Sequence, residues 1–417
     1  MIKWLTTDIG TGAYEQVITS LPQEVVLLDV RDLVDKEGNN KDIIKQKIED
    51  GLAVLKRGKK LVVCCDYGMS RSNAVAIGLM TYHYNMSFSD AFNKARQQVS
   101  ERDIKLSVLN AIYEIIETDR QKSENRYSNK ATKKILVTGG SGFIGKKLIP
   151  ILQKQYEVFA PSSSQINVAE QSISLNLLVK ENKIDTLIHL ANPRVYTSVE
   201  SMGKSLIMLK NILEVCVQNN IKLIYPSSWE IYSAYNTSLL YADESLPAYP
   251  KGTYGESKWL AEHLIEHYHK AHSLKYIILR SSPLYGPGSD KPKFIYNFIE
   301  KALKNEPIVT HEYTNGKPSL DLLHINDFVV ALQSIIAMDD NLQQTLNIGT
   351  GLATSTFEIA KMIVALLGSS STVSSIRVQE SYACIAMNTK KIKNLLSWES
   401  KISIEEGIKE LLQNIKK

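Results

Sequence analysis

The sequence predicts two α/β domains in tandem, the second built on a parallel sheet covered by helices on both faces. Three observations lead there. The chain has 417 residues, more than a single core usually organises. A polar stretch from 119 to 133, DRQKSENRYSNKATK, is nearly free of large aliphatic side chains and divides it. From Lys134 onward, short β-branched runs alternate with helical segments, the pattern of a parallel sheet with crossover helices. The boundaries are a first domain at 1–120, a linker at 121–133 and a second domain at 134–417.

In the first domain, Glu24–Asp29 (EVVLLD) reads as a strand. Residues 41–56 follow as a helix, with Ile43, Ile44, Ile48, Leu52 and Leu55 at helical spacing. Lys60–Cys65 (KLVVCC) is a second strand. A polar loop then opens into helices over Asn73–Tyr84, Ser89–Ser100 and Asp103–Glu117. In the second domain the strands are Ile135–Val137, Glu157–Phe159, Asp185–His189, Lys222–Tyr225 and Lys275–Leu279.

Composition excludes several classes. Hydrophobic residues are 44% and charged residues 22%, ordinary for a globular protein. The net charge of +5 is small and its cations are dispersed, so no nucleic-acid partner is expected. No apolar run reaches the ~18 residues of a membrane span. The opening MIKWLTTDIG has no apolar leader core. Four cysteines cannot staple a chain this long, and a cytoplasmic protein is expected. The histidines show no metal-ligand spacing, and His189 reads as strand-end packing.

The strongest motif is TGGSGFIG at 138–145, directly after a strand and opening a helix. Its glycines permit a tight turn and bring backbone N–H groups and the helix dipole onto a pyrophosphate. A second signal is YGESK at 254–258, which places Tyr254 and Lys258 on one helix face. An ammonium and a cofactor cation nearby would favour the phenolate, giving a proton-transferring tyrosine. The third is SSWEIY at 227–232, where a hydroxyl at a strand end meets ligands.

With these motifs the chain from Lys134 resembles the extended short-chain dehydrogenase/reductase family, the NAD-dependent epimerase/dehydratase group. IHLAN at 188–192, LRSSPLYGPG at 279–288, LHIND at 323–327, NIGTG at 347–351, and Trp398 before IEEG at 404–407 fit the same pattern in order. The resemblance implies a Rossmann-type doubly wound sheet, a smaller C-terminal substrate-binding subdomain, and a nucleotide-sugar substrate. It also implies a dinucleotide held by Gly139, Ser141, Gly142, Phe143, Ile144, Gly145, Leu190, Ala191, Tyr254 and Lys258. By the same resemblance Tyr254 is the acid/base, Lys258 holds the ribose and tunes Tyr254, and Ser228 orients the substrate. A homodimer through helices near 202–219 and 254–269 is a further implication.

Some positions depart from the family pattern. FAPSSS at 159–164 offers no acid for a ribose 2′-hydroxyl, whereas Ser162–Ser164 with Lys146 or Lys147 would suit a 2′-phosphate. NADP and NAD both stay open. Leu320 stands where an Arg often contacts the nucleotide diphosphate, and Asn388 where an Asp is usual. Glu230 occupies the place where 4,6-dehydratases and decarboxylases carry Glu. It reads either as a base for a proton beside a transient ketone or as a loop-bonding carboxylate. Trp229 stands where dehydratases often have Asp, so epimerase, dehydratase and reductase chemistry all remain.

In the first domain CDYGMSRS runs from Cys65 to Ser72 between a strand and a helix. A Cys and an Arg six positions on form an anion cradle whose field favours a thiolate. Ser72 could hydrogen-bond that thiolate on leaving. The segment resembles the dual-specificity protein-tyrosine phosphatases over most of residues 20–118. This implies a phosphate-ester substrate, Cys65 as nucleophile, Arg71 as phosphate ligand, and an upstream Asp as general acid. Asp32 lies nearest that place, with Asp29 and Asp35 competing. Cys64 replaces the family's usual His, and adjacent cysteines admit a strained disulfide. The whole reads as a bifunctional enzyme. The alternative is an NADP(H)-sensing regulator carrying an inactive, anion- or phosphoprotein-binding module.

Overall fold

The computed structural model describes residues 2–36, 38–121, 133–193, 198–289, 291–338 and 343–415. Nearly all of the linker expected at 121–133 lies outside the described residues. The chain forms two compact units, residues 1–131 with 170–178, and residues 132–169 with 179–417. The short 170–178 segment groups with the first unit, where Ser174 donates from its amide and hydroxyl to the Glu101 carboxylate at 2.7 and 3.0 Å.

The first unit is a four-stranded sheet in the order Lys3–Trp4, Ile9–Ala13, Lys60–Cys65, Val25–Asp29. The edge strand Lys3–Trp4 is antiparallel and the other three are parallel. Ile9–Ala13 (IGTGA) escaped the sequence reading because its glycines disguise a strand. At Gly10 a Cβ would stand 2.9 Å from the Ile2 side chain, so close packing explains the glycine there. Helices span Lys41–Lys56, Arg71–His83, Phe88–Ala95 and Leu106–Gln121. The first is capped by Asn40, whose side chain accepts from the Asp42 amide. It buries Ile44, Ile48, Gly51 and Leu55, whereas Ile43, expected on the apolar face, is exposed. The helix Arg71–His83 is buried along residues 71–81, so it is the centre of this core.

The second unit carries a six-stranded parallel sheet in the order Gln344–Ile348, Tyr276–Ser281, Lys222–Ser228, Thr186–His189, Lys134–Thr138, Glu157–Phe159. Five of these follow the sequence reading. The sixth, Gln344–Ile348, is an edge strand seen in sequence only through its terminal glycines. The direction of winding reverses between Lys134–Thr138 and Thr186–His189, the place where open α/β sheets bind ligands at their carboxyl ends. A smaller subdomain packs helices Lys293–Leu303, Thr356–Leu367 and Ile404–Ile415 around its own apolar cluster beside the parallel pair Ile308–Tyr313 and Val373–Val378. Among the described residues no helix is long and apolar enough to cross a membrane.

Under the strand end of this sheet lies a buried ion pair. Glu262 accepts from Arg280 Nη2 at 2.7 Å and Nε at 3.1 Å, and from the Ser227 hydroxyl. Arg280 Nη1 donates to Tyr232 Oη at 2.6 Å and to the Glu244 carbonyl at 3.1 Å. Removing one member of such a pair strands the other in a medium that solvates it poorly. Arg280→Leu is expected to destabilise this unit by about 3–5 kcal/mol, read as a lowered urea midpoint. The double variant Glu262→Leu/Arg280→Leu should recover a large part of the loss, and equal losses in both would contradict a coupled buried pair.

Candidate functional site

The turn after strand Lys134–Thr138 is shaped by its glycines. Gly139 has φ +73°, and a Cβ there would lie 2.5 Å from the Ala191 amide nitrogen. At Gly145 a Cβ would lie 2.5 Å from the Gly140 carbonyl oxygen. The turn thus rests against Leu190 and Ala191 on one side and lets helix Phe143–Leu152 start tightly on the other. Gly142 caps that helix, and its first turn holds no acidic residue. Ser141 and Gly142 are exposed, Phe143 and Ile144 half-buried. The Gly142 amide closes the turn on the Gly139 carbonyl at 3.0 Å, and the following amides at the helix start meet no competing carboxylate, so the residues present fit a dinucleotide pyrophosphate. Beneath the turn, Thr138 Oγ1 and His189 Nδ1 are 2.7 Å apart, which gives His189 a polar bond as well as packing.

Past the second strand, the Ser162 amide donates to Gln165 Oε1 at 2.8 Å, and the Ser162 and Ser164 hydroxyls are 2.8 Å apart. These groups and Lys146 are exposed, and no carboxylate stands in FAPSSS.

The catalytic candidates converge on the end of strand Lys222–Ser228. Ser228 Oγ accepts from the Glu230 amide at 3.1 Å. Helix Thr253–His272 presses on the same turn, since a Cβ at Gly255 would lie 2.7 Å from the Glu230 carbonyl oxygen. Glycine at 255 therefore sets how near Tyr254 comes to Glu230. Lys258 Nζ donates to Tyr225 Oη at 3.2 Å and to the Pro226 carbonyl at 2.9 Å, and sits 5.7 Å from the Tyr254 ring centroid.

Electrostatics at this cluster differ from the sequence expectation of a tyrosine poised toward phenolate. Burial, and then the Glu230 charge, push the Tyr254 phenol up. Burial brings the Lys258 ammonium down to about 8, with Glu262 opposing. Burial raises the Glu230 carboxyl to about 6. The reason is placement: the ammonium is bonded to Tyr225 and Pro226, while Glu230 faces Tyr254.

Residues 135–349 match the family model "NAD dependent epimerase/dehydratase family". The chain belongs to this family. Among its relatives is a protein of Methanocaldococcus jannaschii provisionally named UDP-glucose 4-epimerase, 30% identical over 68% of this chain and 98% of that protein. UDP-glucuronic acid decarboxylase 1 of Xenopus tropicalis is 25% identical over 70% of this chain and 74% of its own length. In fold, the chain is similar to the crystal structure of Thermus thermophilus UDP-glucose 4-epimerase in complex with NAD, with a TM-score of 0.59 at 23% identity, covering 68% of this chain and 99% of the other.

Within this family member, Leu320 is buried and its side chain offers no polar atom to a nucleotide. Its neighbour Asp321, missed in the sequence, accepts from the Thr350 amide at 2.8 Å, the Thr350 hydroxyl at 2.7 Å, and the Gly351 and Met387 amides, each at 3.0 Å. Asp321 thereby ties NIGTG to strand Ile385–Met387. Asn388 Oδ1 accepts from the Lys390 amide at 3.1 Å. Glu262, four residues after Lys258 on one helix face, was legible by spacing but only the fold supplies its partner Arg280.

In the first unit the cysteine loop rests on strand Ile9–Ala13. Gly68 has φ +66°, and its Cβ would stand 2.4 Å from the Ala13 amide nitrogen. Cys65 Sγ is 3.3 Å from Ser72 Oγ. Burial pushes this thiol up, but the Ser72 hydroxyl and the Ser72, Met69 and Gly68 amides prevail, and its pKa is lowered. Arg71 is engaged by the protein itself. It donates to the carbonyls of Arg31 at 3.2 Å and Leu33 at 2.8 Å, and to the Asp66 carboxylate. Asp32 pairs with Lys47 at 3.0 Å, whereas Asp35 lies 3.4 Å from Arg71 Nε. Cys64 is a free thiol in the apolar cluster on the other face of the sheet, pushed up to about 12 by burial, so no disulfide joins it to Cys65.

Glu230 sets a pH dependence. Its folded value of about 6 exceeds the ordinary 4.5, so the folded state binds the extra proton between these values. Stability therefore falls as pH rises from 4.5 through 6, by about 2 kcal/mol at ~1.4 kcal/mol per unit. Glu230→Gln should abolish this fall, matching the parent near pH 4 and exceeding it by about 2 kcal/mol near pH 7.5 in urea titrations. Parallel pH profiles for the two proteins would refute the buried carboxyl.

Proposed function

We propose that the second unit oxidises a nucleotide-bound sugar at a hydroxyl-bearing carbon and moves a second proton at the neighbouring carbon, as an epimerase/dehydratase using NAD or NADP. The observation that carries this reading is the convergence of Ser228, the half-buried Glu230 and Tyr254 at the strand end, where the Glu230 charge acts on the Tyr254 phenol, with Lys258 behind. When bound, an oxidised nicotinamide supplies a hydride acceptor and a positive charge. Tyr254 takes the proton of the sugar hydroxyl as its carbon becomes a carbonyl. Burial and Glu230 hold Tyr254 protonated in the protein alone, so Lys258 would favour the phenolate only with the positive charge of the bound nicotinamide added to its own, and Ser228 donates a hydrogen bond to the oxygen carrying the developing charge.

Glu230, near 6, exchanges protons readily near neutral pH. A carboxylate beside a newly formed ketone can remove the acidified proton on the adjacent carbon. This favours dehydration or decarboxylation-type chemistry over simple reduction. Relatives named UDP-glucuronic acid decarboxylase and dTDP-D-glucose 4,6-dehydratase are consistent with it. Serines at 162–164 in place of an acid leave room for a 2′-phosphate.

Tyr254→Phe should lower turnover by about 10²–10⁴-fold on whichever UDP-, dTDP- or GDP-sugar the parent converts, with the cofactor still bound. The readout is product formation by mass spectrometry together with cofactor-induced thermal stabilisation. Parent-like turnover would overturn the role given to Tyr254, whereas cofactor binding with no turnover of any such sugar by the parent would favour a cofactor-sensing role.

A second reading applies to the first unit, because the lowered Cys65 pKa sits on a loop of inward-facing amides. There Cys65 attacks a phosphate monoester, the phosphorus–oxygen bond to the alcohol breaks, and water later releases phosphate from sulfur. Phosphate would compete with Asp66 for Arg71, and Asp35 is better placed than Asp32 to protonate the leaving oxygen. Cys65→Ser should abolish hydrolysis of an aryl phosphate by the full chain. Hydrolysis that survives, or none in the parent, would leave the loop as a binding module.

A further inference from the structure

We propose that Tyr225 is a positioning residue for the Lys258–Tyr254 pair, fixing where the buried ammonium stands and so how strongly it acts on Tyr254. This rests on the proton-transfer role assigned above to Tyr254.

Tyr225 is the fourth residue of strand Lys222–Ser228 and is 3% exposed. Its Oη is one of two oxygen acceptors that Lys258 Nζ contacts, at 3.2 Å, the other being the Pro226 carbonyl at 2.9 Å. The ammonium is 4.5 Å from the Tyr225 ring centroid and 5.7 Å from that of Tyr254. The cation is thus shared between two phenols and leans toward Tyr225. Both acceptors are uncharged. They direct the ammonium without neutralising it, whereas a carboxylate in the same place would hold it in a closed ion pair.

The groups facing this pair can be named from each element around it. Tyr254 and Glu262 share the helix of Lys258, Tyr225 comes from the strand beneath, and His189 comes from the adjoining strand. Glu230 faces Tyr254 from the following turn. Burial, then Tyr254 and Glu262, keep the Tyr225 phenol protonated, so it remains an acceptor for Lys258 across the working pH range.

Tyr225 is itself fixed from behind. The His189 ring stacks on it with centroids 6.1 Å apart and planes at 27°. His189 stays neutral because burial and the Lys258 charge bring its pKa down to about 3. Its Nδ1 bonds Thr138 Oγ1 at 2.7 Å, and Thr138 opens the glycine turn. An unbroken run of contacts therefore joins the turn that receives the dinucleotide to the lysine that tunes the tyrosine: Thr138, His189, Tyr225, Lys258. Two features of sequence far apart, TGGSGFIG and YGESK, are mechanically tied through a phenol that neither motif contains.

The test is Tyr225→Phe in the full chain, which keeps the ring and removes the acceptor. Competitive labelling of Lys258 with acetic anhydride across pH, read by peptide mass spectrometry, reports its titration midpoint without any turnover. Loss of a hydrogen bond to a charged group should lower that midpoint by roughly one pH unit from about 8. Should the variant fail to fold, Tyr225→Met repeats the measurement with similar volume and no hydroxyl. A folded variant with an unmoved Lys258 midpoint overturns the proposal. Where the parent converts a nucleotide sugar, the variant should lower kcat and move the pH dependence of kcat with KM unchanged, and a change confined to KM would also overturn it. If the parent converts no nucleotide sugar, the catalytic reading fails, while the labelling midpoint still decides whether Tyr225 positions Lys258.

Discussion

Taking the Lys258 ammonium out of water is the constraint around which the second unit's site is organised. A buried cation needs acceptors and, at some distance, compensating charge. The acceptors are a phenol and a backbone carbonyl from one strand, and the charge is Glu262 one helical turn further on. Glu262 then needs a cation of its own, which Arg280 supplies from the next strand, and Arg280 in turn recruits Tyr232. Each partner is itself buried, so the network runs through the strand ends until its last donors reach backbone carbonyls. The placement of the Lys258 charge and the stability of the strand ends are here the same set of bonds.

The parts of this arrangement that a linear sequence discloses are those with a fixed local spacing. The glycine turn at 138–145, the Tyr254–Lys258 pair and the cysteine loop at 65–72 were all readable because their geometry is made within a few residues. So were strands such as Glu157–Phe159 and Lys60–Cys65, and the helix Lys41–Lys56, whose bounds coincide with the reading. What stayed hidden depends on long-range meeting. Tyr225 looks like an ordinary aromatic in a strand until the fold lays Lys258 against it. Asp321 looks like a surface acid until four donors from two other segments converge on it. Ile9–Ala13 is a glycine-bearing strand whose status is conferred by the chain that packs over Gly10 and against Gly68.

The electrostatic expectation for Tyr254 shows how far local pattern can mislead. Spacing places a lysine on its helix face, and a lysine nearby should ease ionisation. The fold adds Glu230 on the other side and burial all round, and these prevail. Relatives named as epimerase, dehydratase and decarboxylase share this family, so the common scaffold leaves the outcome to a few such neighbours.

The alternation of side chains along strand Lys60–Cys65 also carries a chemical consequence. Cys65 faces the loop of amides and Cys64 the apolar cluster behind, although they are adjacent in sequence. Were Cys65 oxidised, Cys64, the other cysteine among the described residues of this unit, would face away from the sulfenic acid. Recovery would fall to a diffusible reductant such as a small cellular thiol. Neighbours in the chain can be strangers across a pleated sheet, and here that separation gives two adjacent thiols opposite shifts, Cys65 lowered by its loop and Cys64 raised by burial.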